Sequence, residues 1–508
     1  MAVSINYSKQ RVGPDRLLAP GLVLMGVVLL VSLLVVLLNS EFTNSYPYLF
    51  LLPWVVGLGV LVLIPSVVMY FRGTFQFYHP LVFATGSYFF PAFVVGGLVL
   101  IFGWSQPYFL SFIQDANVNL PFTVELIMLG FAGLSVGLML PAGAKIGRII
   151  GDYLPRREYE LSSLMLPSIV LLFTGIINSL IAFVLGIIGY QKVAEFSSYD
   201  GIIFLTTLFW MQASFLLWFI VFKRARVDLP AVLIVACLLI TAVAKALVAG
   251  NRGSFLQLFV IVGFAFVLSG QKVTVKRGMW AGFLLTIALF VGMVYGTTFR
   301  DVKGSESQAT VESYTDNIFE TFDRVGSRNN AGTMEFALLN LAERIDGLSS
   351  VAVVVSNYEQ LKPYEESYGL DNNIWNDTVT FLVPRLIWPE KPVASDPRKY
   401  SELYFDFGEN SFTVTPISDL LRNFGVIGVP IGMFILGFFL RVTYRALVES
   451  QPITTWRATL YFMIMTAVSY EGFYGSILPF VVKVGGTALV GIVFVNFFGV
   501  RKPINPAS

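Results

Sequence analysis

Four groups of basic residues stand where a membrane-bound anion could be held. Arg252 lies in the tight turn Gly250-Asn-Arg-Gly253 between two apolar runs. Arg300 ends another apolar run, in Thr298-Phe-Arg-Asp. Arg385 and Lys391 belong to Pro384-Arg-Leu-Ile-Trp-Pro-Glu-Lys-Pro392, whose prolines bias the backbone toward extended forms. Arg422 falls in Asp419-Leu-Leu-Arg-Asn-Phe-Gly425, and its i, i+3 spacing from Asp419 puts both on one helix face. A guanidinium is planar, permanently charged and bidentate toward phosphate, so the set suits a phosphate or pyrophosphate. Ser254 and the amides after Arg252 would add a helix N-terminus, a second anion-binding feature. Bland alternatives stay open for each: a headgroup anchor at Arg252, a snorkelling Arg300 neutralised by Asp301, an interface pin at Trp388, and an internal salt bridge for Arg422.

Such a cluster would stabilise a departing pyrophosphate without a metal. Trp388 offers a ring face on which a sugar could stack. An acceptor hydroxyl would need a base, and the single histidine, His79, is expected at the opposite membrane face. The candidate bases are therefore carboxylates: Asp301, Asp419 and Glu390 first, with Glu320, Asp323, Glu335, Glu343, Asp346 and Glu471 also on the same side. No Cys/His set for zinc, no Ser-His-Asp triad and no phosphate loop of the ATPase type occurs, so neither a metal nor another cofactor is expected. Lys245, Lys483 and Glu125 lie within or at the ends of apolar runs, with partners that spacing does not select.

The elements that must position these residues are membrane helices. Of 508 residues, 56% are hydrophobic and 13% charged, about half the charged share of a soluble domain. Apolar runs long enough to cross a bilayer core of roughly 30 Å recur along the chain, and no alternating barrel pattern appears. The fold class expected is an all-α polytopic membrane protein with about twelve spans: 17–38, 48–70, 80–102, 121–141, 163–189, 202–222, 229–249, 254–270, 278–298, 416–440, 457–471 and 476–498. The first run lacks a small-residue cleavage site, so it reads as a span rather than a cleaved signal. Lys and Arg crowd one set of loops: Lys9 to Arg16, Arg72, Lys145 to Arg157, Lys223 to Arg226, Lys272 to Arg277, Arg441 to Arg457, and Arg501 with Lys502. The short loops opposite hold only Lys192 and Arg252. Both termini are therefore expected in the cytoplasm, with the long loop after the ninth span outside. Cys237 stands alone, so that loop folds without a disulfide.

Three segments follow: a bundle at 1–298, the outer loop at 299–415, and a closing bundle at 416–508. The loop carries 19 of the 32 Asp and Glu, the reverse of a membrane segment. Residues 334–361 are expected to be helical with a break near Gly347, and 362–416 to fold as an aromatic-rich cap on the outer face. The arginines before and after the loop place the site beneath it, with the loop as lid and wall.

The order NRGSF, then FLVPRLIWPEKP, then TVTPISDLLRNFGVIGVPIGMFILG, resembles the O-antigen polymerases (Wzy-type oligosaccharide repeat-unit polymerases) over roughly residues 245–440. That resemblance implies a GT-C-like glycosyltransferase of the bacterial inner membrane. It would join undecaprenyl-pyrophosphate-linked repeat units, donor and acceptor, at the periplasmic face. It further implies pyrophosphate-binding roles for Arg252, Arg385 and Arg422, with Arg300 and Lys391 as seconds. A flippase and a chain-length regulator of the same pathway are possible partners, and no nucleic acid is expected. The alternatives are a ligase or other lipid-linked glycan transferase, and a lipid-linked oligosaccharide flippase. The related ligases use an outer-side histidine, which this chain lacks. Most unusual charges sit at one face rather than at mid-depth, which disfavours a flippase.

Overall fold

The structure is a computed structural model. It describes residues 46–105, 107–188, 199–224, 228–249, 252–303, 311–327, 345–381, 395–408, 414–449 and 453–502, with Val383, Ile387, Trp388, Glu390 and Phe412 singly. The first expected span, 17–38, lies outside these residues.

The described chain is helical, with no strand among the described residues. Its elements are α1 (Leu52–Phe71), α2 (Pro80–Ile101), α3 (Ala116–Met139), α4 (Pro141–Tyr153), α5 (Leu161–Val184), α6 (Asp200–Lys223), α7 (Leu229–Ala249) and α8 (Arg252–Leu268). After them come α9 (Val275–Lys303), α10 (Val311–Ser327), α11 (Gly347–Leu361), α12 (Asn373–Thr380), α13 (Pro397–Phe405), α14 (Pro416–Tyr444), α15 (Thr455–Ala467) and α16 (Tyr474–Phe497). Among the described residues nine helices are long and apolar enough to cross a membrane, so the chain is a multi-pass membrane protein. Eight of them coincide with expected spans to within about five residues, and the one expected at 416–440 runs on to Glu449. Two expected spans are shorter: Gly253–Leu268 falls below full span length, and α15 has only 13 residues. The end of the bundle toward 299–415 is called the cap end, and the other the basic end.

The tightest seam joins α3 and α14, which run parallel. Gly133 and Gly137 lie against the carbonyls of Pro430 and Phe434, and Gly437 against that of Leu134. No side chain fits between these backbones, so small residues let them touch. Past Leu140, whose extended ψ of 124° turns the chain, α4 carries the seam on beside Arg441 and Arg445.

α14 is not one rod. It breaks at Gly425, with φ 69° and ψ −169°, a conformation that is essentially glycine's alone. In a continuous helix, Leu420 and Gly432 would stand about 18 Å apart. Here the Leu420 side chain packs onto Gly432, and its carbonyl lies beside Gly428. The stub 416–424 therefore doubles back against 426–444. The Lys362 ammonium reaches the Arg422 carbonyl, 3.5 Å away, that the break leaves without a helical donor.

The loop between α9 and α14 is not only a cap. The helix break expected near Gly347 is the start of α11, and residues 347–355 of α11 are all buried. Asp346 caps α11, accepting from the Ser349 amide (2.9 Å), the Ser349 hydroxyl (2.6 Å) and the Ser105 hydroxyl. Burial raises the Asp346 carboxyl above its usual range, against those hydrogen bonds. Gly96 and Gly347 let this end of α11 press onto α2. The run GLSSVAVVV is thus core, because its small and β-branched side chains pack among the spans. The helix expected N-terminal to it, at 334–344, lies outside the described residues.

Candidate functional site

The stub 416–424 carries Asp419, Arg422 and Asn423 into a sealed cage at the cap end. Arg422 Nη1 donates to Glu365 Oε1 at 2.5 Å, and Nη2 donates to Asp419 Oδ1 at 2.8 Å. Nη2 also reaches Asn373 Oδ1 at 3.2 Å. The Arg422 and Asp419 side chains are 0% exposed and that of Glu365 3%. The Tyr404 hydroxyl donates to Glu365 Oε1 at 2.8 Å, and Asn423 Nδ2 to Asn373 Oδ1 at 2.8 Å. Asp419 Oδ2 accepts from the Tyr474 amide at 2.8 Å, at the start of α16. That carboxylate therefore sits on a helix N-terminus, where the dipole favours negative charge. Rings close the cage: Tyr400, Tyr404 and Phe473 lie 5.5, 5.7 and 5.9 Å from the guanidinium carbon. Burial pushes the Tyr400 and Tyr404 phenols above their ordinary range, while Arg422 opposes it. Both phenols are neutral.

This geometry corrects two sequence assignments. Arg422 has both terminal nitrogens engaged with carboxylates and no solvent contact, so here it positions other groups rather than receiving a phosphate. Asp419 has both oxygens engaged and none left for a substrate hydroxyl, so here it is a tether and not a base. The bland reading of Arg422, an internal salt bridge with Asp419, matches the geometry and extends to a partner that sequence reasoning missed. That partner, Glu365, lies in Tyr364-Glu-Glu-Ser-Tyr368 with no spacing relation to the stub. Asn373 and Tyr404 were missed for the same reason.

The other candidates are not gathered here. Arg252 opens α8, and Arg300 and Asp301 lie near the end of α9, both at the cap end; their side chains lie outside the described residues. Arg385 and Lys391 also lie outside them. Trp388 and Glu390 are described and exposed. His79 caps α2 at the basic end, its Nδ1 accepting from the Leu81 amide at 3.2 Å. Burial lowers its pKa to about 4, with Arg441 adding to the effect, so it is neutral.

Beside the cage lies an apolar groove of about 680 Å³. Trp375 and Thr378 of α12 line it at the cap end, and Phe424, Ile431 and Phe439 of α14 line its length against Val481 of α16. The stretch from 426 to 439 is about 20 Å long. Leu420 and Tyr474 belong to both neighbourhoods: each lines the groove, and each adjoins Asp419 by sequence or by hydrogen bond.

These features define a polytopic helical membrane protein whose loop is sewn to its bundle by a buried ion cluster beside a hydrocarbon-lined groove. The chain belongs to the family described as a domain of unknown function, DUF8712, which matches residues 125–446. The match runs from within α3 to the end of α14, and so takes in both partners of the tight seam. No curated protein and no solved structure matches the chain.

Proposed function

We propose that the protein is a membrane glycosyltransferase of the O-antigen polymerase kind, joining oligosaccharide repeat units carried on a polyprenyl pyrophosphate at the periplasmic face. In that reaction an acceptor hydroxyl displaces the pyrophosphate at the anomeric carbon. The new glycosidic C–O bond replaces the old C–O bond, the charge leaves with the pyrophosphate, and the hydroxyl proton passes to a carboxylate.

The observation that carries the reading is the groove beside the cage. A lipid-linked sugar has a long apolar tail and a charged, polar head. The groove supplies apolar walls over about 20 Å, and it reaches the cap end, where Trp375 is exposed. Arg252, Arg300, Arg385 and Lys391 remain the proposed pyrophosphate ligands, and Asp301 and Glu390 the proposed bases. Arg422 and Asp419 take a supporting role: they hold α12, α14 and α16 in the arrangement that forms the groove. The basic residues at the opposite end support a cytoplasmic assignment for it. The motif resemblance at PRLIWPEKP and RNFG supports the same reaction class.

The test is a deletion strain followed by glycan electrophoresis. Accumulated single-repeat glycan is expected. Polymer stranded on its lipid carrier would instead indicate a ligase, and repeat units trapped in the cytoplasm a flippase. Complementation by Arg252→Ala should restore protein in the membrane but no polymer; normal long-chain glycan would remove Arg252 from the site.

A further inference from the structure

α7 ends at Ala249, α8 begins at Arg252, and the two helices pack against each other. Lys245 lies four residues before the end of α7 and Gln257 five residues after the start of α8, so the two stand at similar heights. Both lean on consecutive residues of α6. The Lys245 ammonium lies 4.1 Å from the centre of the Trp210 ring. The Gln257 amide donates to the Met211 sulfur at 3.1 Å. Trp210 and Met211 are themselves buried.

Neither polar group is matched by its neighbours. Among the described residues Lys245 has no carboxylate or carbonyl partner, and the Trp210 ring face is what its ammonium rests on. A thioether is a weak acceptor for a carboxamide N–H. The Cα–Cβ bond of Lys245 tilts toward the N-terminus of α7, away from the nearby helix end. An ionisable group inside a span without a counter-charge is expensive and calls for a partner. Two donors without strong acceptors, on one patch between three apolar helices, call for the same one.

We propose that Lys245, Gln257 and Trp210 form a pocket for a phosphate group. The ammonium and the carboxamide N–H donate to phosphate oxygens, and the indole ring holds the ammonium on its face. The site does not depend on the glycan reading, since phosphate is shared by lipid headgroups and soluble phosphates.

Full-length protein in micelles of a phosphate-free maltoside detergent separates the sources. Its melting temperature is read with phosphatidylglycerol mixed into the micelle, and separately with inorganic pyrophosphate in the buffer. One of the two is expected to raise it. A response to the lipid alone assigns a headgroup site, and a response to pyrophosphate a soluble phosphate site. Lys245→Met should abolish the rise and weaken binding on the order of tenfold or more, the worth of one charged hydrogen bond. Lys245→Arg should preserve the rise, and Gln257→Leu should diminish it. No rise in the wild-type protein with either additive, or an equal rise in Lys245→Met, overturns the proposal. Should Lys245→Met fail to reach the membrane, an undiminished rise in Gln257→Leu overturns it.

Discussion

Two arginines are fully buried at opposite ends of the bundle, and they are satisfied in opposite ways. Arg422, at the cap end, is held by two carboxylates and three rings. Arg457, at the basic end, bonds backbone carbonyls: Gly151 (3.1 Å) and Leu154 (3.3 Å) where α4 ends, and Ala446 (3.4 Å) beyond α14. Helix C-termini present unpaired carbonyls and a partial negative charge, so one cation can close two chain ends without a carboxylate. The Arg457 arrangement joins neighbouring elements through backbone alone. The Arg422 arrangement depends on side chains from the loop, the stub and, through Asp419, α16. With two carboxylates against one guanidinium, it carries a net formal charge of −1. The basic end is thus a fixed closure, whereas the cap end is a junction that substitution can open.

Removing Arg422 should show the largest effect. Arg422→Met strands two buried carboxylates, at a cost of about 3–5 kcal/mol. Melting in detergent and proteolysis of the 362–408 segment should both report it. Substituting the triad together (Glu365→Gln, Asp419→Asn, Arg422→Met) should recover much of that loss. If the single and triple variants melt alike, the cage does not act as an ion cluster.

Arg457→Met should cost less, roughly 1–3 kcal/mol for the carbonyls left without a donor. The proteolytic opening should appear at 150–160 rather than in the loop. Arg457→Lys should recover part of the stability, since one ammonium can still reach a carbonyl. Cleavage in the loop of Arg457→Met would mean that the two ends are coupled, and the contrast would fail.

The smallest effect is a pH dependence at the basic end. His79 titrates at about 4 when folded, against an ordinary 6.5. The unfolded chain therefore binds the proton first as pH falls. Its contribution is complete above about pH 6.5 and is lost progressively toward pH 4. By pH 5.5 the loss should be roughly 1 kcal/mol, seen as a lower melting temperature than at pH 7. His79→Gln should reduce that difference; a pH slope identical to wild type would acquit the histidine.

Hydropathy made the scaffold legible. The spans expected at 48–70, 80–102 and 476–498 are observed at Leu49–Phe71, Pro80–Ile101 and Tyr474–Phe497. Each is set by one long apolar run, which needs no tertiary information. α15 was harder: the run expected to reach 471 ends at Ala467. Tyr470 and Phe473 are apolar enough to extend a hydropathy window, yet they turn inward to pack on Tyr88 and Tyr400. The site was legible only where it was local. Asp419 and Arg422 share a helix face, and spacing reveals that. Glu365 meets Arg422 only because α14 doubles back, and no periodicity encodes such a reversal. Gly425 was visible in RNFG, but a lone glycine inside an apolar run does not declare its φ.

The break at Gly425 also bears on the order of assembly. α14 is made long after α3, and nearly 300 residues must be accommodated before the two can meet. A rigid α14 would have to bring its outer end, the loop and α3 into register in a single event. With the chain reversed at Gly425, the 426–444 portion can dock on the α3 glycines as an ordinary pair of helices. The stub is then free to swing in afterwards, once α16 has supplied its amides to Asp419. Closure of the cage becomes the last stitch of biogenesis, and a chain truncated before α16 is expected to insert its spans while leaving its loop unlatched.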